Sequence, residues 1–443
     1  MTYGDADALS GGVANTLRAR GVRPGDRVAV QIEKSPFAVL LYLACLRSGA
    51  IFVPINTAYT DAEVADLVAD AEPALVVRDA EGFGEVKRDA FEDVDPEPDD
   101  VAAILYTSGT TGRPKGAMLT HRNLASNAAA LHQAWGFRSD DVLLHALPVF
   151  HAHGLFVAIN CTLANGTPMI FLPRFDAGVV IEHLPRATIF MGVPTFYTRL
   201  LADARFNAEV CTSMRLFISG SAPLLASTHD EFRVRTGHAV LERYGMTETT
   251  MITSNPLDGD RRPGSVGPPL PGVEVRVANE HGAALATGEV GGVEVRGPNV
   301  FAGYWKRPEL SATEFTPDGF FRTGDLGCFD EDGYLRLVGR SKDLVISGGL
   351  NVYPVEVEEV LDAIDGVLES AVIGVADHDF GEAVVAVVVA EPGRTIDVES
   401  VREKSRERLA AFKVPKRVHV VDALPRNAMG KVEKARLRSE FGV

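Results

Sequence analysis

Apolar and polar positions alternate along this chain in blocks of changing period, and each change marks a new element. From Asp5 apolar residues recur at helical spacing as far as Leu17, and Gly21-Val22-Arg23-Pro24-Gly25-Asp26 then reads as a turn. Residues 27–32 predict a strand and residues 37–48 a nearly all-apolar helix. Short strands are expected at 51–53 and 74–77, with a helix over 61–70 between them. Residues 79–100 are acidic and read as a solvated link. Val101, Ala103, Ile104 and Leu105 then read as a buried strand.

Further along, apolar runs at 142–147, 169–172, 188–192, 216–219 and 239–244 predict strands separated by helices, the pattern of a mainly parallel, helix-covered sheet. Beyond Gly264 the Gly/Pro density rises, and short alternating strands at 273–277, 291–296 and 334–338 predict a small antiparallel barrel or sheet. After Gly339 a basic, glycine-containing joint begins, and 353–443 carries its own helix, strand and helix signals. The expected fold is α/β, with a large domain over 1–339 and a small α+β domain over 340–443.

Composition narrows the function. At 443 residues, 46% hydrophobic and 23% charged, the chain suits two or three globular domains. A net charge of −16 and a pI near 5.2 argue against a nucleic-acid surface, and require any anionic substrate to be drawn by local cations. Cys45, Cys161, Cys211 and Cys328 lie far apart, which suggests neither a metal site nor a disulfide framework. The opening residues lack the basic and apolar regions of an export signal. The longest lipid-like run, 37–46, is about half of the ~20 residues a membrane span needs. A cytoplasmic protein that engages no membrane is expected.

The densest chemistry lies at residues 106–116, Y-T-S-G-T-T-G-R-P-K-G. Ser108, Thr110 and Thr111 offer hydroxyls, while Gly109, Gly112 and Gly116 let the backbone turn its N–H groups towards an anion. Lys115 adds a point charge. The spacing is not G-x-x-x-x-G-K-[ST], so this is not an ordinary P-loop. A second run, Tyr244-Gly245-Met246-Thr247-Glu248-Thr249, follows a predicted strand and carries a carboxylate suited to Mg2+, which prefers oxygen ligands. Thr323-Gly324-Asp325 and Gly339-Arg340-Ser341-Lys342-Asp343 form a third, and Pro425-Arg426-Asn427-Ala428-Met429-Gly430-Lys431 a fourth.

Taken in this order, the four runs resemble the adenylate-forming superfamily of acyl-CoA synthetases, peptide-synthetase adenylation domains and luciferases. That resemblance implies ATP binding by Thr107, Ser108, Gly109, Thr110, Thr111, Lys115, Gly220, Ser221, Ala222, Glu242, Tyr244, Gly245, Met246, Asp325 and Arg340. It implies Mg2+ on Glu248, α-phosphate contact from Thr247, adenine stacking on Tyr244, and ribose hydroxyls on Asp325 assisted by Arg340. Lys431 matches the superfamily's catalytic lysine, whose ammonium stabilises charge as the acyl-adenylate forms. Lys342 matches the hinge about which the small domain turns between half-reactions, and Ser347, Gly348 and Gly349 match the segment presented to coenzyme A. Lys413 and Lys416 are candidates for its phosphates.

The acyl pocket resembles malonyl-CoA synthetases in Phe150-His151-Ala152-His153-Gly154-Leu155, Gly192-Val193-Pro194-Thr195 and 242–248. A second carboxylate must be paired once it leaves water, and in that family the arginines matching Arg199 and Arg243 hold it. Thr195 and Arg199, at i and i+4, share a helix face. His151 closes the pocket, with Ala152 and Met251 shaping the space between the carboxylates, so methylmalonate is a second candidate. Two histidines at i and i+2 without a third ligand make a poor metal site.

The expected enzyme uses malonate, ATP and coenzyme A, with Mg2+, as a monomer or weak homo-oligomer. A broader short-chain or aromatic acyl-CoA synthetase and a carrier-protein-loading adenylation enzyme are the alternatives. Compared with typical relatives, the chain begins inside the first helix and is shorter between Val77 and Val101.

Overall fold

A computed structural model describes every residue except 85, 108–113, 428, 429 and 443. The chain forms two compact units, residues 1–275 with 295–321, and residues 276–294 with 322–443. The first helix, α1 (Tyr3–Ala19), begins at Thr2, whose hydroxyl accepts from the Asp5 amide while the Asp5 carboxylate accepts from the Thr2 amide. This reciprocal cap satisfies two amides that the helix leaves without partners. There follow β1 (Arg27–Val30), α2 (Pro36–Arg47), β2 (Ile51–Pro54), α3 (Asp61–Ala71), β3 (Leu75–Val77), β4 (Val101–Thr107) and β5 (Lys115–Thr120).

The strands make a sheet of order β3-β1-β2-β4-β5. It is parallel from β3 to β4 and antiparallel between β4 and β5, so that Thr107 stands opposite Lys115. The phosphate-loop candidates Ser108, Gly109, Thr110 and Thr111 lie outside the described residues.

The second sheet is built from β6 (Leu143–His145), β7 (Met169–Phe171), β8 (Ile189–Gly192), β9 (Leu216–Ser219), β10 (Leu241–Met246) and β11 (Thr250–Ser254), in the order β11-β10-β9-β8-β6-β7. Its helices are α4 (His121–Ala134), α5 (Asn160–Asn165), α6 (Ala177–His183), α7 (Pro194–Leu201) and α8 (Ala226–Thr236). Phe190, Tyr197, Phe206, Phe217 and Phe232 are wholly buried and form its aromatic core, with several rings meeting edge to face. A π-helical turn, His153–Ile159, precedes α5. Such turns occur often at functional sites.

The strand expected over 239–244 runs instead from Leu241 to Met246 and folds straight back as β11. A bulge at Tyr244/Gly245 permits this. A Cβ on Gly245 would stand 1.9 Å from the Thr250 carbonyl, so only glycine allows the two strands to approach there. Thr247-Glu248-Thr249 therefore sit at the tip of a tight hairpin, not beyond a strand end.

Helix α9 (Pro308–Glu314) completes the first unit. Strands β12 (Glu274–Ala278), β13 (Gly291–Arg296), β14 (Phe321–Phe329) and β15 (Leu335–Arg340) form a four-stranded sheet in that order, which belongs to the second unit apart from strand ends. The rest of that unit holds β16 (Val345–Ser347), β17 (Leu350–Val352), α10 (Pro354–Asp362), β18 (Val367–Asp377), β19 (Gly381–Ala390), α11 (Val398–Arg408), β20 (Arg417–Val421) and α12 (Lys434–Phe441). Along β19 the side chains divide by parity. Val384, Ala386 and Val388 join a core with Val357, Leu361 and Val401, and Val385, Val387 and Val389 join one with Leu424 and Leu437. No helix among the described residues is long and apolar enough to cross a membrane.

Candidate active site

Arg243, on β10, is 3% exposed, yet its Nε and Nη2 have no hydrogen-bond partner among the described residues. Burial draws its pKa down to about 9, which still leaves it a cation at neutral pH. It lies against Gly220, where a Cβ would come within 2.3 Å of the guanidinium carbon. Gly220 thus provides the space that Arg243 fills. The next residue, Ser221, adopts a left-handed conformation (φ 72°) and approaches His153 Nδ1 at 3.4 Å. A non-glycine residue there stores local strain.

The histidines are held neutral beside this charge. Desolvation, with Arg243 adding, lowers the pKa of His151 to about 4 and takes His153 well below its ordinary value. His151 Nδ1 accepts from the His153 amide at 3.3 Å, which leaves its proton on Nε2 as a donor. His153 Nε2 and the Ser219 hydroxyl are also buried without partners among the described residues. The Arg243 cation and these two neutral groups therefore keep hydrogen-bonding capacity unspent among the described residues. Ala152 and Met251 are both buried, and Met251 stands opposite Gly245. Thr195 is half-buried on α7, whereas Arg199 is exposed and makes no ion pair among the described residues.

The hairpin tip is tied from behind by a segment that carries no obvious motif. The Asn299 amide donates to the carbonyls of Thr249 and Met251, and the Phe301 amide to that of Glu248. Tyr304 Oη donates to Glu248 Oε1 at 2.9 Å, and Lys115 Nζ lies 5.1 Å from the Tyr304 ring centre. The Lys115 ammonium also faces Glu314 at 3.8 Å. Tyr304 thereby links Lys115 to the acidic tip. Sequence reasoning missed it, and the aromatic pair Tyr304-Trp305 after Gly303 is the only local sign.

Tyr244 is buried. The Glu242 carboxylate accepts the amides of Gly264 and Leu224, and desolvation raises its pKa to about 7. It props the loop containing Gly220, Ser221 and Ala222. Among the described residues no group of three or more His, Cys, Asp or Glu is placed to hold a metal ion. Glu248, an oriented carboxylate that is 5% exposed, suits a hard cation that takes its other ligands from phosphate and water.

In the second unit Asp325 and Arg340 are cross-strand neighbours on β14 and β15, joined by an ion pair of 2.8 Å. Lys342 lies in the 3-10 turn Ser341–Asp343. Gly348 (φ 60°) and Gly349 (φ 79°) form the two-residue turn between β16 and β17 that demands positive φ at both positions, and Ser347 is buried at its base. Lys431 is exposed by area, but protein crowds its ammonium. Desolvation first, then Arg340 and Lys342 against Asp325 and Asp343, lowers its pKa to about 8.

Residues 1–305 match the AMP-binding enzyme family, and residues 356–431 match the AMP-binding enzyme C-terminal domain. The chain belongs to the AMP-binding enzymes. Its structure is similar to that of ATP-bound MatB from Rhodopseudomonas palustris, with 55% identity and a TM-score of 0.96 over 99% of this chain and 93% of that one. It is 37% identical to the mitochondrial malonate–CoA ligase of Mus musculus, over 96% of this chain and 84% of that protein. It is also 39% identical to a feruloyl-CoA synthase from an Amycolatopsis species, over 100% of this chain and 94% of that protein.

Proposed function

We propose that this protein is an ATP-dependent, AMP-forming malonate–CoA ligase. The observation that carries the reading is Arg243, a buried guanidinium with two nitrogens unpartnered among the described residues. An uncompensated buried charge costs several kcal/mol, and the distal carboxylate of a dicarboxylic acid removes that cost on binding. A hydroxycinnamate, the type of acid named for the feruloyl-CoA synthase, brings no second carboxylate to the guanidinium. Arg199 is the second proposed partner of the distal carboxylate. Thr195, His151, Ala152 and Met251 shape the remaining space, and methylmalonate is a second candidate substrate.

The reacting carboxylate oxygen attacks the α-phosphorus of ATP, and pyrophosphate leaves. Thr107, Lys115, Gly220, Ser221, Ala222, Tyr244, Gly245 and Met246 hold the nucleotide, with Thr247 on the α-phosphate and Asp325 and Arg340 on the ribose. Ser108, Gly109, Thr110 and Thr111 belong to this assignment through their motif. Glu242 serves it by holding the loop that contains Ser221. Glu248 would hold Mg2+, which when bound offsets phosphate charge. Lys431 places its ammonium where negative charge redistributes between carboxylate and α-phosphate, and no proton transfer is required.

The chain then pivots at Lys342, beside the proposed domain boundary at 339/340. The sulfur of coenzyme A attacks the acyl carbon, the bond to AMP breaks, and the thiol proton passes to solvent. Ser347, Gly348 and Gly349 offer a narrow backbone turn for pantetheine. Residence in the cytoplasm and a monomeric or weakly associating state complete the reading.

The test is coenzyme A-dependent AMP production with acetate, propionate, malonate, methylmalonate, succinate and ferulate. Malonate should lead, and Arg243→Ala should raise the malonate KM about 30-fold or more, as truncating one member of a buried charge pair costs about 2 kcal/mol at least. Equal malonate kinetics in the two proteins, or ferulate ahead of malonate, would overturn the substrate.

A further inference from the structure

Lys431 sits in a short loop that ends in apolar contacts on both sides, Leu424 before it and Leu437 after it. Between those contacts the backbone is held by polar groups. Asn427 receives the Lys431 amide on its Oδ1 at 3.0 Å, and its own amide donates to the Lys431 carbonyl at 3.0 Å. Arg426 and Val432 form an isolated antiparallel bridge. Arg426 then divides its guanidinium: Nη1 donates to the Gly430 carbonyl at 2.5 Å, and Nη2 pairs with Glu369 on β18. On the other side Lys434, the first residue of α12, pairs with Glu358 on α10 at 2.6 Å.

These pairs are not ornaments of the surface. The Lys434 and Glu358 side chains are 18% and 16% exposed, and Glu358 Oε1 also accepts the Val372 amide at 2.7 Å. Arg426 and Glu369 are 29% and 23% exposed. Partly buried ion pairs with further hydrogen bonds hold geometry better than exposed ones. Asp362 lies beside both acceptors, and burial followed by the nearby Glu358 and Glu369 carboxylates raises its pKa to about 7.

We propose that Glu369 and Glu358 are positioning residues for the adenylation step: through Arg426 and Lys434 they clamp the loop on either side of Lys431 and fix where its ammonium can act. This rests on the assignment of Lys431 made above. A clamp on Lys431 matters only to the half-reaction that uses Lys431. Its loss should therefore divide the two half-reactions, which a general loss of folding would not.

The experiment measures malonate-dependent exchange of pyrophosphate into ATP, and separately the single-turnover transfer of pre-formed malonyl-adenylate to coenzyme A. Glu369→Gln and Glu358→Gln should each lower the exchange kcat by about 10- to 100-fold, the penalty of a ~1 Å misplacement. The KM for ATP and malonate should stay near wild type, and so should the transfer step. Arg426→Lys keeps the charge but loses the fork, and should show the same selective loss if Glu369→Gln yields no folded protein. Unchanged exchange in these variants, or equal loss in both half-reactions, refutes the clamp. Lys431→Ala in the same assays separates the two claims. If it retains exchange, the role given to Lys431 is wrong; if it loses exchange while the clamp variants do not, only the clamp is wrong.

Discussion

Arg243 is a cation that the folded chain surrounds with neutral groups: His151 and His153 are kept unprotonated, and Gly220 has no side chain to compete for the space. The proposed pairing of this cation with a substrate carboxylate would favour ligand binding at the expense of the free protein. Arg243→Met, which keeps much of the volume and removes the charge, should therefore stabilise the unliganded protein by about 1–4 kcal/mol, the range seen when buried ionic groups give way to apolar ones. Thermal melting without substrate checks this. A lower melting temperature in the variant would mean that the guanidinium already has compensation in the free protein.

At the scale of elements, the β10–β11 hairpin and the 298–304 segment work together. The hairpin puts Glu248 at its tip, and the segment fixes that tip through Asn299, Phe301 and Tyr304. Asn123, at the start of α4, in turn donates to the carbonyls of Pro298 and Val300 at 2.8 Å. The acidic tip is thus held to the helix that follows β5. Tyr304→Phe removes one hydrogen bond to Glu248 and keeps the ring near Lys115. Residues that orient a metal-binding carboxylate change metal affinity by about 10- to 100-fold when lost, so the variant should need correspondingly more Mg2+ for half-maximal adenylation. An unchanged Mg2+ dependence would detach Tyr304 from that role.

Across the whole molecule, stability carries the imprint of Glu242. Its pKa stands at about 7 in the folded chain against an ordinary 4.5. Below pH 4.5 both folded and unfolded chains hold the proton, and the group contributes nothing. Between 4.5 and 7 the unfolded chain releases it while the folded chain retains it, so stability falls as pH rises, by up to ~3 kcal/mol in all. Above 7 the loss is complete and flat. Glu242→Gln has no such titration, and melting profiles of the two proteins should diverge between pH 5 and 7, with the variant gaining on the wild type. Parallel profiles would show that Glu242 is ionised in the folded chain at low pH.

The amino-acid sequence by itself determined the α/β class, most strands to within two residues, and the order of four motifs that point to adenylate chemistry. Those features are local: a hydrophobic period, or a run of hydroxyls and glycines, is complete within a dozen residues. Tertiary structure decided what depends on register and long-range approach. The Tyr244/Gly245 bulge carried β10 two residues past its expected end and put Glu248 at a hairpin tip. Antiparallel pairing set Asp325 opposite Arg340. The chain path brought Tyr304 to Glu248, Gly220 under Arg243, and Glu369 to Arg426. None of these partners is near the other in sequence, so no periodicity connects them. That Arg243 is buried, with two nitrogens unpartnered among the described residues, is likewise legible only in three dimensions, because burial belongs to the packed neighbours and not to the residue.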